Sequence, residues 1–327
     1  MDKRDRILVE SLADGRFHSG TEIAQVMGIS RAGVWKHVRR LENFGLEVVS
    51  VPGKGYRLTR SIELLDAQKI LEGMDSAAQA LMGPLRIENV LESTNSTLMQ
   101  MATGGAPNAT AVLAEFQTQG RGRIGRNWLS PLAGGICLSL LWRFQDPRQV
   151  AGLSLAVGVA LVRALKSIGA DHIALKWPND LLWQGAKLGG ILIEIAGEAY
   201  GSCAVVIGVG LNIDLPEEME THIDQSVTDL RRVLGGKTGL RNATVSGFLS
   251  HLLKLLETYA EEGLPAYLPE WRAIHGDCGK PAVVLVGDQS VTGKVVDVSP
   301  EGFLIFEEDG GIQRIFASGE VRLRVKP

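Results

Sequence analysis

Three arginines interleaved with glycines, in Gly120-Arg121-Gly122-Arg123-Ile124-Gly125-Arg126-Asn127-Trp128, are the residues of this chain best suited to chemistry on anions. Each guanidinium is a planar, permanently charged donor that matches carboxylate and phosphate. The glycines reach backbone conformations closed to other residues and bare their N–H groups. Such a loop can stay mobile when empty and fold around an anion, or simply be a solvated basic loop; composition leaves both open. A further cation, Lys187, precedes Leu188-Gly189-Gly190, where glycines allow a ligand close to the backbone. A site that joins two anions must be cationic where they meet, and Arg123, Arg126 and Lys187 are its candidates. For Lys187 the alternative is a solvated turn lysine.

Other residues could serve the same chemistry. Gln117 ends the strand-like run Ala111 to Gln117 that feeds the loop, and its amide can meet a neutral polar group with both donor and acceptor. Ser93-Thr94-Asn95 reads as a helix N-cap, and a helix start also offers free N–H donors to a polar ligand. In Lys176-Trp177-Pro178-Asn179-Asp180-Leu181 the proline fixes a turn at a strand end, and Asn179 and Asp180 suit a turn whatever else they do. Trp128 can stack on a planar ligand or fill a core. Gly208-Val209-Gly210-Leu211-Asn212 is not a dinucleotide fingerprint, because the third glycine is missing and no helix opens after it.

In this order the arginine loop, the Lys176 segment, Lys187-Leu188-Gly189-Gly190-Ile191-Leu192 and the Gly208 segment resemble the biotin–protein ligases, over most of the chain. The resemblance implies an enzyme that joins biotin and ATP into biotinyl-5′-AMP with release of pyrophosphate. It then passes biotin to a lysine of a biotin carboxyl carrier protein of the acetyl-CoA carboxylase type. It implies biotin contacts from Ser93, Thr94, Asn95, Gln117, Arg121, Gly122 and Arg123, with Lys187 holding the biotin carboxylate and α-phosphate. Arg126, Trp128, Lys176, Asn179 and Asn212 fall to the ATP end. Arg123, Lys187 and Asp180 are the catalytic candidates, Asp180 helping the acceptor lysine shed its proton. Mg²⁺ accompanies the ATP; no metal site of the protein's own and no tightly bound prosthetic group are expected. Many members of the family carry arginine where this chain has Ile124. That change leaves Arg123 and Arg126 in place but bears on how the loop orders around the adenylate.

These groups need a scaffold. Ala111 to Gln117, Gly135 to Trp142, Ile173 to Trp177, Gly190 to Ala196 and Ala204 to Ile213 read as strands. Val150 to Ile168 and Thr244 to Glu262 read as helices, giving an α/β mixture whose strand order is not derivable. The resemblance implies a mixed sheet flanked by helices, shared with lipoate–protein ligases. Beyond about residue 277, short strands alternate with turns and fit a small SH3-like barrel, from which Arg324 can reach the nucleotide or simply face solvent. The expected class is α+β multidomain: a head at 1–62, a mixed α/β catalytic domain at 63–274 and the C-terminal barrel at 275–327.

The head is basic. Residues 1–62 hold 11 Lys+Arg against 7 Asp+Glu, while the remainder holds 23 against 30. A basic head on an acidic body suggests an anionic partner for the head. Residues 5 to 17 read as a helix; Ser19-Gly20-Thr21 caps a second, which Gly28 breaks; Ser30 caps a third, with Val34, Val38 and Leu41 facing inward. Two short helices joined by a glycine turn are a helix-turn-helix layout. Arg31, Ala32, Trp35 and Lys36 are the candidates for base or sugar contacts, Arg39 and Arg40 for phosphates. Leu46 to Val51 and Tyr56-Arg57-Leu58 flank Pro52-Gly53-Lys54-Gly55, a wing with Lys54 at its tip. A helical bundle with a solvated charged face is the alternative. The wing sequence resembles that of biotin–protein ligases that double as repressors, which implies operator DNA as partner and a homodimer when adenylate-bound.

Three cysteines far apart, Cys137, Cys203 and Cys278, exclude a disulfide framework and a metal cluster of their own. The charged N-terminus and the shortness of the apolar run Val150 to Leu165 point to a cytoplasmic protein without membrane spans. Two rival functions stay open: a ligase for lipoate or another small acid, and a ligand-responsive repressor that catalyses nothing.

Overall fold

The computed structural model describes residues 1–196, 201–221, 223, 225–287, 289–318 and 321–325, the last stretch for its backbone and the Leu323 side chain. Capping chemistry sets out the head. α1 (Lys3–Leu12), α2 (Gly20–Met27) and α3 (Arg31–Leu41) each begin behind a side-chain cap: Asp2, Ser19 and Ser30 accept from the N–H of Asp5, Glu22 and Gly33. Each such cap contributes about 1 kcal/mol. Gly28 ends α2 at φ 64°, the left-handed conformation that a helix C-cap favours. Val34, Val38 and Leu41 are buried, as their spacing predicts. α1 runs Lys3–Leu12 rather than 5 to 17, because the reciprocal Asp2–Asp5 box starts it early and the Asp14-Gly15 turn closes it. β1 (Val48–Val51) and β2 (Gly55–Leu58) pair antiparallel and leave Pro52-Gly53-Lys54 as the wing tip.

The body contributes α4 (Ala67–Gly73), α5 (Ser76–Leu81), β3 (Leu85–Leu91), α6 (Thr94–Thr103), β4 (Ala111–Gln117), β5 (Gly135–Phe144), α7 (Leu153–Ser167), β6 (Ile173–Lys176), β7 (Asp180–Trp183), β8 (Ala186–Ala196), β9 (Cys203–Asn212), α8 (Glu217–Glu220), α9 (Leu230–Val233), α10 (Arg241–Glu262) and α11 (Leu268–Ile274). Its seven strands lie in the order β3-β4-β5-β9-β8-β7-β6. β3 and β4 are parallel and every other neighbouring pair is antiparallel, so the sheet is mixed. α7 and α10 bury one face in the main core; α6 covers the other with Leu98 and Ala102 against Val112, Leu141 and Val206. α7 begins at Leu153 rather than Val150, since a 3-10 turn and left-handed Gly152 intervene. β7 was not foreseen: Asp180 opens a short strand and pairs with Lys176. Among the described residues no helix is long and apolar enough to cross a membrane.

The C-terminal module, β10 (Pro281–Val286), β11 (Gln289–Val298), β12 (Leu304–Glu308), β13 (Gln313–Phe316) and β14 (Val321–Val325), is an antiparallel sheet of order β13-β12-β11-β10-β14. It docks on the Lys176 segment: buried Trp177 donates its indole N–H to the Gly302 carbonyl at 3.0 Å. The Arg324 side chain lies outside the described residues.

Head and body share a seam just after the arginine loop. Leu132 and Ala133 are buried in the head's apolar cluster, and the Leu132 N–H donates to the Phe44 carbonyl. Full burial of one leucine contributes about 1.5–3 kcal/mol. Beneath them Glu115 and Arg241 pair at 2.6 Å with almost no exposure.

Candidate active site

The floor of the site follows from strand geometry, in which alternate residues share a face. β5 and β9 place Cys137 opposite Gly210, Ser139 opposite Gly208 and Leu141 opposite Val206; β8 adds Gly190 opposite Gly210 and Glu194 opposite Val206. A Cβ on Gly208 would stand 2.1 Å from Asn95 Oδ1, and one on Gly210 2.4 Å from the Trp128 ring. The two glycines of the Gly208 segment are therefore room for side chains that arrive from α6 and from the arginine loop. Burial pushes the Cys137 thiol up to about 12, so this part of the floor is uncharged.

The first wall is the start of α6. Ser93 caps it; Thr94 donates to Gln117 Oε1 from its N–H at 2.7 Å and from its hydroxyl at 3.2 Å. Ser139 Oγ lies 2.8 Å from Thr94 Oγ1 and bonds Asn95 Oδ1. Asn95 Nδ2 donates to the Leu192 carbonyl at 3.2 Å and to Glu194 at 3.0 Å. This places Ser93, Thr94, Asn95 and Gln117 in one polar network at the α6 end of the floor.

The second wall is the arginine loop, closed on itself. Gly122 N–H donates to the Arg126 carbonyl, Trp128 N–H to the Gly120 carbonyl, and Arg121 bridges Asn127. Ile124 sits at φ 54°, ψ 48°. A β-branched residue rarely adopts that left-handed conformation, which costs about 1–2 kcal/mol.

The cations converge here, and most are already engaged. Lys187 Nζ pairs with Asp180 at 2.7 Å and lies 6.0 Å from the Trp128 ring centroid, with its side chain 14% exposed. Arg121 pairs with Glu194 at 2.7 Å. Arg123 donates to Asn179 Oδ1 at 3.3 Å and to the Ser318 carbonyl of the C-terminal module. Burial lowers the Arg123 pKa; Asp180 opposes this and Arg126 adds to it. Arg126 is exposed, and among the described residues no ion pair holds it. Asn179 also donates to the Ile191 carbonyl at 2.7 Å, and Asn212 donates to the carbonyls of Thr228 at 3.0 Å and Lys187 at 3.4 Å. These two amides brace the strand ends that carry Asp180 and Lys187. Lys176 is half-buried at the end of β6, with its backbone paired to Asp180. Trp128 lies against Gly210 with its indole nitrogen buried and unpartnered.

Four stretches far apart in sequence thus form one site rich in cations, with the Glu194 carboxylate on its floor face. Such a pocket can hold a carboxylate against a phosphate and offset charge as they join. Sequence reasoning missed Ser139 and Glu194. Each was legible as a lone polar residue on a strand-like apolar run. A cleft of about 300 Å³ opens elsewhere, at the head–body seam, but Asp14 and Glu63 in its lining suit no anionic substrate.

In the head, Arg31, Ala32, Trp35, Lys36 and Arg39 are exposed on α3, Trp35 by 54%. Arg39 lies over the Trp35 ring and pairs with Glu42; Lys54 lies 5.9 Å from the Phe17 ring at the wing tip. Arg40 is exposed as well, with 46% of its side chain open, and Asp2 and Asp5 hold it at 2.8 Å each, because α1 brings two carboxylates beside it. Among the described residues, Asp2, Asp5 and His37 are the group of potential metal ligands that stands close enough together, and the Arg40 guanidinium bonds all three.

Comparison with known proteins agrees with this geometry. Residues 88–212 match the biotin/lipoate A/B protein ligase family, 4–57 an HTH domain and 277–324 a biotin protein ligase C-terminal domain. The chain is 36% identical over 318 residues to the bifunctional ligase/repressor BirA of Escherichia coli, covering 97% of this chain and 96% of that one. It is 32% identical over 323 residues to BirA of Bacillus subtilis, covering 97% of both. A solved biotin protein ligase of Aquifex aeolicus, in complex with biotin and ATP, superposes with a TM-score of 0.64 at 27% identity, covering 75% of this chain and all of that one.

Proposed function

This chain belongs to the biotin/lipoate A/B protein ligase family, in the company of bifunctional ligase/repressors, and from that premise we propose that it is both a biotin–protein ligase and a biotin-responsive repressor. The observation that carries the reading is the convergence of Arg123 and Lys187 on the Asn179-Asp180 turn, with Arg126 near enough to Arg123 to act on its charge. The biotin carboxylate attacks the α-phosphorus of ATP; a P–O bond forms, the bond to pyrophosphate breaks, and biotinyl-5′-AMP results. Ser93, Thr94, Asn95, Gln117, Arg121, Gly122 and Arg123 enclose biotin, and Trp128 shields the adenylate. Arg126, Lys176, Asn179 and Asn212 lie at the nucleotide end. Lys187 exchanges Asp180 for the two reacting anions. Asp180, once released, accepts a proton as the acceptor lysine amine attacks the mixed anhydride and AMP leaves. Mg²⁺ would come with the ATP, held by its phosphates, and would offset their charge. The acceptor is a biotin carboxyl carrier protein, and the setting is cytoplasmic. On this reading the functional units run over 1–62, 63–274 and 275–327.

ATP–pyrophosphate exchange tests the reading. Exchange should depend on biotin and not on lipoate, and a streptavidin blot should show biotin on an acceptor domain. Lipoate-dependent exchange would transfer the reading to the rival acid. For the head, the adenylate-bound dimer places two copies of α3 on a two-fold operator. Lys54→Ala is expected to lower the slope of log affinity against log salt by about 1, without altering the ranking of sequences. An unchanged slope would place the wing tip off the DNA.

A further inference from the structure

The two walls of the pocket are tied together by Glu194, a residue that neither contributes charge to a reacting anion nor touches the nucleotide end. It projects from β8 on the floor face, opposite Val206. Its Oε1 accepts from Arg121 Nη2 at 2.7 Å, and its Oε2 accepts from Arg121 Nη1 at 3.2 Å and from Asn95 Nδ2 at 3.0 Å. Arg121 also donates to Ser96 Oγ at 3.3 Å, which adds a second tie to α6. The fork-on-fork geometry fixes a guanidinium in plane as well as in distance. We infer that Glu194 is a positioning residue for biotin, which holds the loop arginine Arg121 and the α6 amide of Asn95 in one fixed relation.

Charge supports the assignment. Of the cations at the site, Lys187 and Arg121 each have a carboxylate partner, whereas among the described residues Arg123 donates to neutral oxygens and neither Arg123 nor Arg126 has an ion pair. The pair Arg121–Glu194 is neutral overall, so it shapes the pocket without competing for the biotin carboxylate. Its side chains are 47% and 20% exposed, so the pair has little worth as a surface ion pair. Its effect is on the position of two pocket walls.

The inference rests on the ligase reading, and the experiment separates the two. Biotin-dependent ATP–pyrophosphate exchange is measured on the full chain for wild type, Glu194→Gln, Arg121→Gln and the double variant. A hydrogen bond to a charged group is worth enough that Glu194→Gln should raise the KM for biotin about 10-fold or more, and raise it by a larger factor than kcat falls. The two single substitutions remove the same tie, so their effects should not multiply in the double variant. Glu194→Asp keeps the charge, should give an intermediate KM, and carries the test if the Gln variant melts early. A wild type without biotin-dependent exchange refutes the ligase reading. An active wild type with an unchanged KM in Glu194→Gln, or with effects that multiply, overturns the positioning role and leaves the ligase reading standing.

Discussion

Lys187→Met is expected to reduce adenylate formation by at least about 10²–10³-fold, the usual cost of removing one donor aimed at developing charge. Methionine keeps most of the length of the side chain and loses only the ammonium. The backbone that carries it stays braced: Lys187 N–H donates to the Ser226 carbonyl, and Asn212 and the Thr228 N–H bond the Lys187 carbonyl. The fold and the empty-state head should therefore be untouched, with a melting curve like that of the wild type. Both reacting partners are anions and the Lys187 side chain is only 14% exposed, so kcat should fall far more than the KM for biotin rises. Asp180 loses its 2.7 Å partner in this variant but retains attraction from Arg123. Lys187→Arg keeps the charge in a broader planar form and should restore part of the rate. Near-normal pyrophosphate exchange in Lys187→Met would remove the lysine from the reaction and shift the burden to Arg123 and Arg126.

The parts of this protein written locally were legible in its sequence. The caps Ser19 and Ser30, the break at Gly28 and the i, i+4, i+7 pattern of Val34, Val38 and Leu41 define a helix-turn-helix from neighbours a few residues apart. Glycines and arginines in one loop were legible as a cationic segment for the same reason. What stayed hidden depends on partners distant in the chain. Arg40 reads as a free cation on α3 until Asp2 and Asp5 arrive from another helix. Asn212 reads as the end of a glycine-rich strand until the carbonyls of Lys187 and Thr228 come beside it. The Gly208 and Gly210 spacing could be told from a dinucleotide motif, yet its purpose emerges only when Asn95 and Trp128 fill the space. Strand order obeys the same limit, because β8 and β9 are neighbours while β5 reaches β9 across the whole of α7, β6, β7 and β8.

Glu115→Gln is expected to destabilise the body by about 3–5 kcal/mol, the cost of leaving one member of a buried ion pair without its partner. For a unit of 150–250 residues this lowers the melting temperature by roughly 6–20 °C. Glu115 and Arg241 are 0% and 1% exposed in their side chains. Arg241 spends its donors on Glu115, on the Glu63 carbonyl and on the Gly135 carbonyl, and its Nη2 is already buried without a partner. Glutamine can preserve the shape and one acceptor but not the charge that balances the guanidinium. The same carboxylate accepts the Leu65 N–H at 2.7 Å and Arg6 of the head at 3.3 Å, so the loss reaches three segments at once. If uncompensated charge is the cause, a double variant Glu115→Leu, Arg241→Met should recover a large part of the stability, because a well-packed apolar pair of similar volume is often as stable as the ions it replaces. A single variant that melts within 2 °C of the wild type would show that Arg241 finds another anion or water in place of Glu115. A double variant no better than the single would assign the loss to the hydrogen bonds at Leu65 and Glu63 instead. Either result bears on the site, because Glu115 stands two residues before Gln117 on β4 and its carbonyl accepts the Ala133 N–H just beyond the arginine loop. The buried pair therefore fixes the strand that leads into both walls of the candidate site.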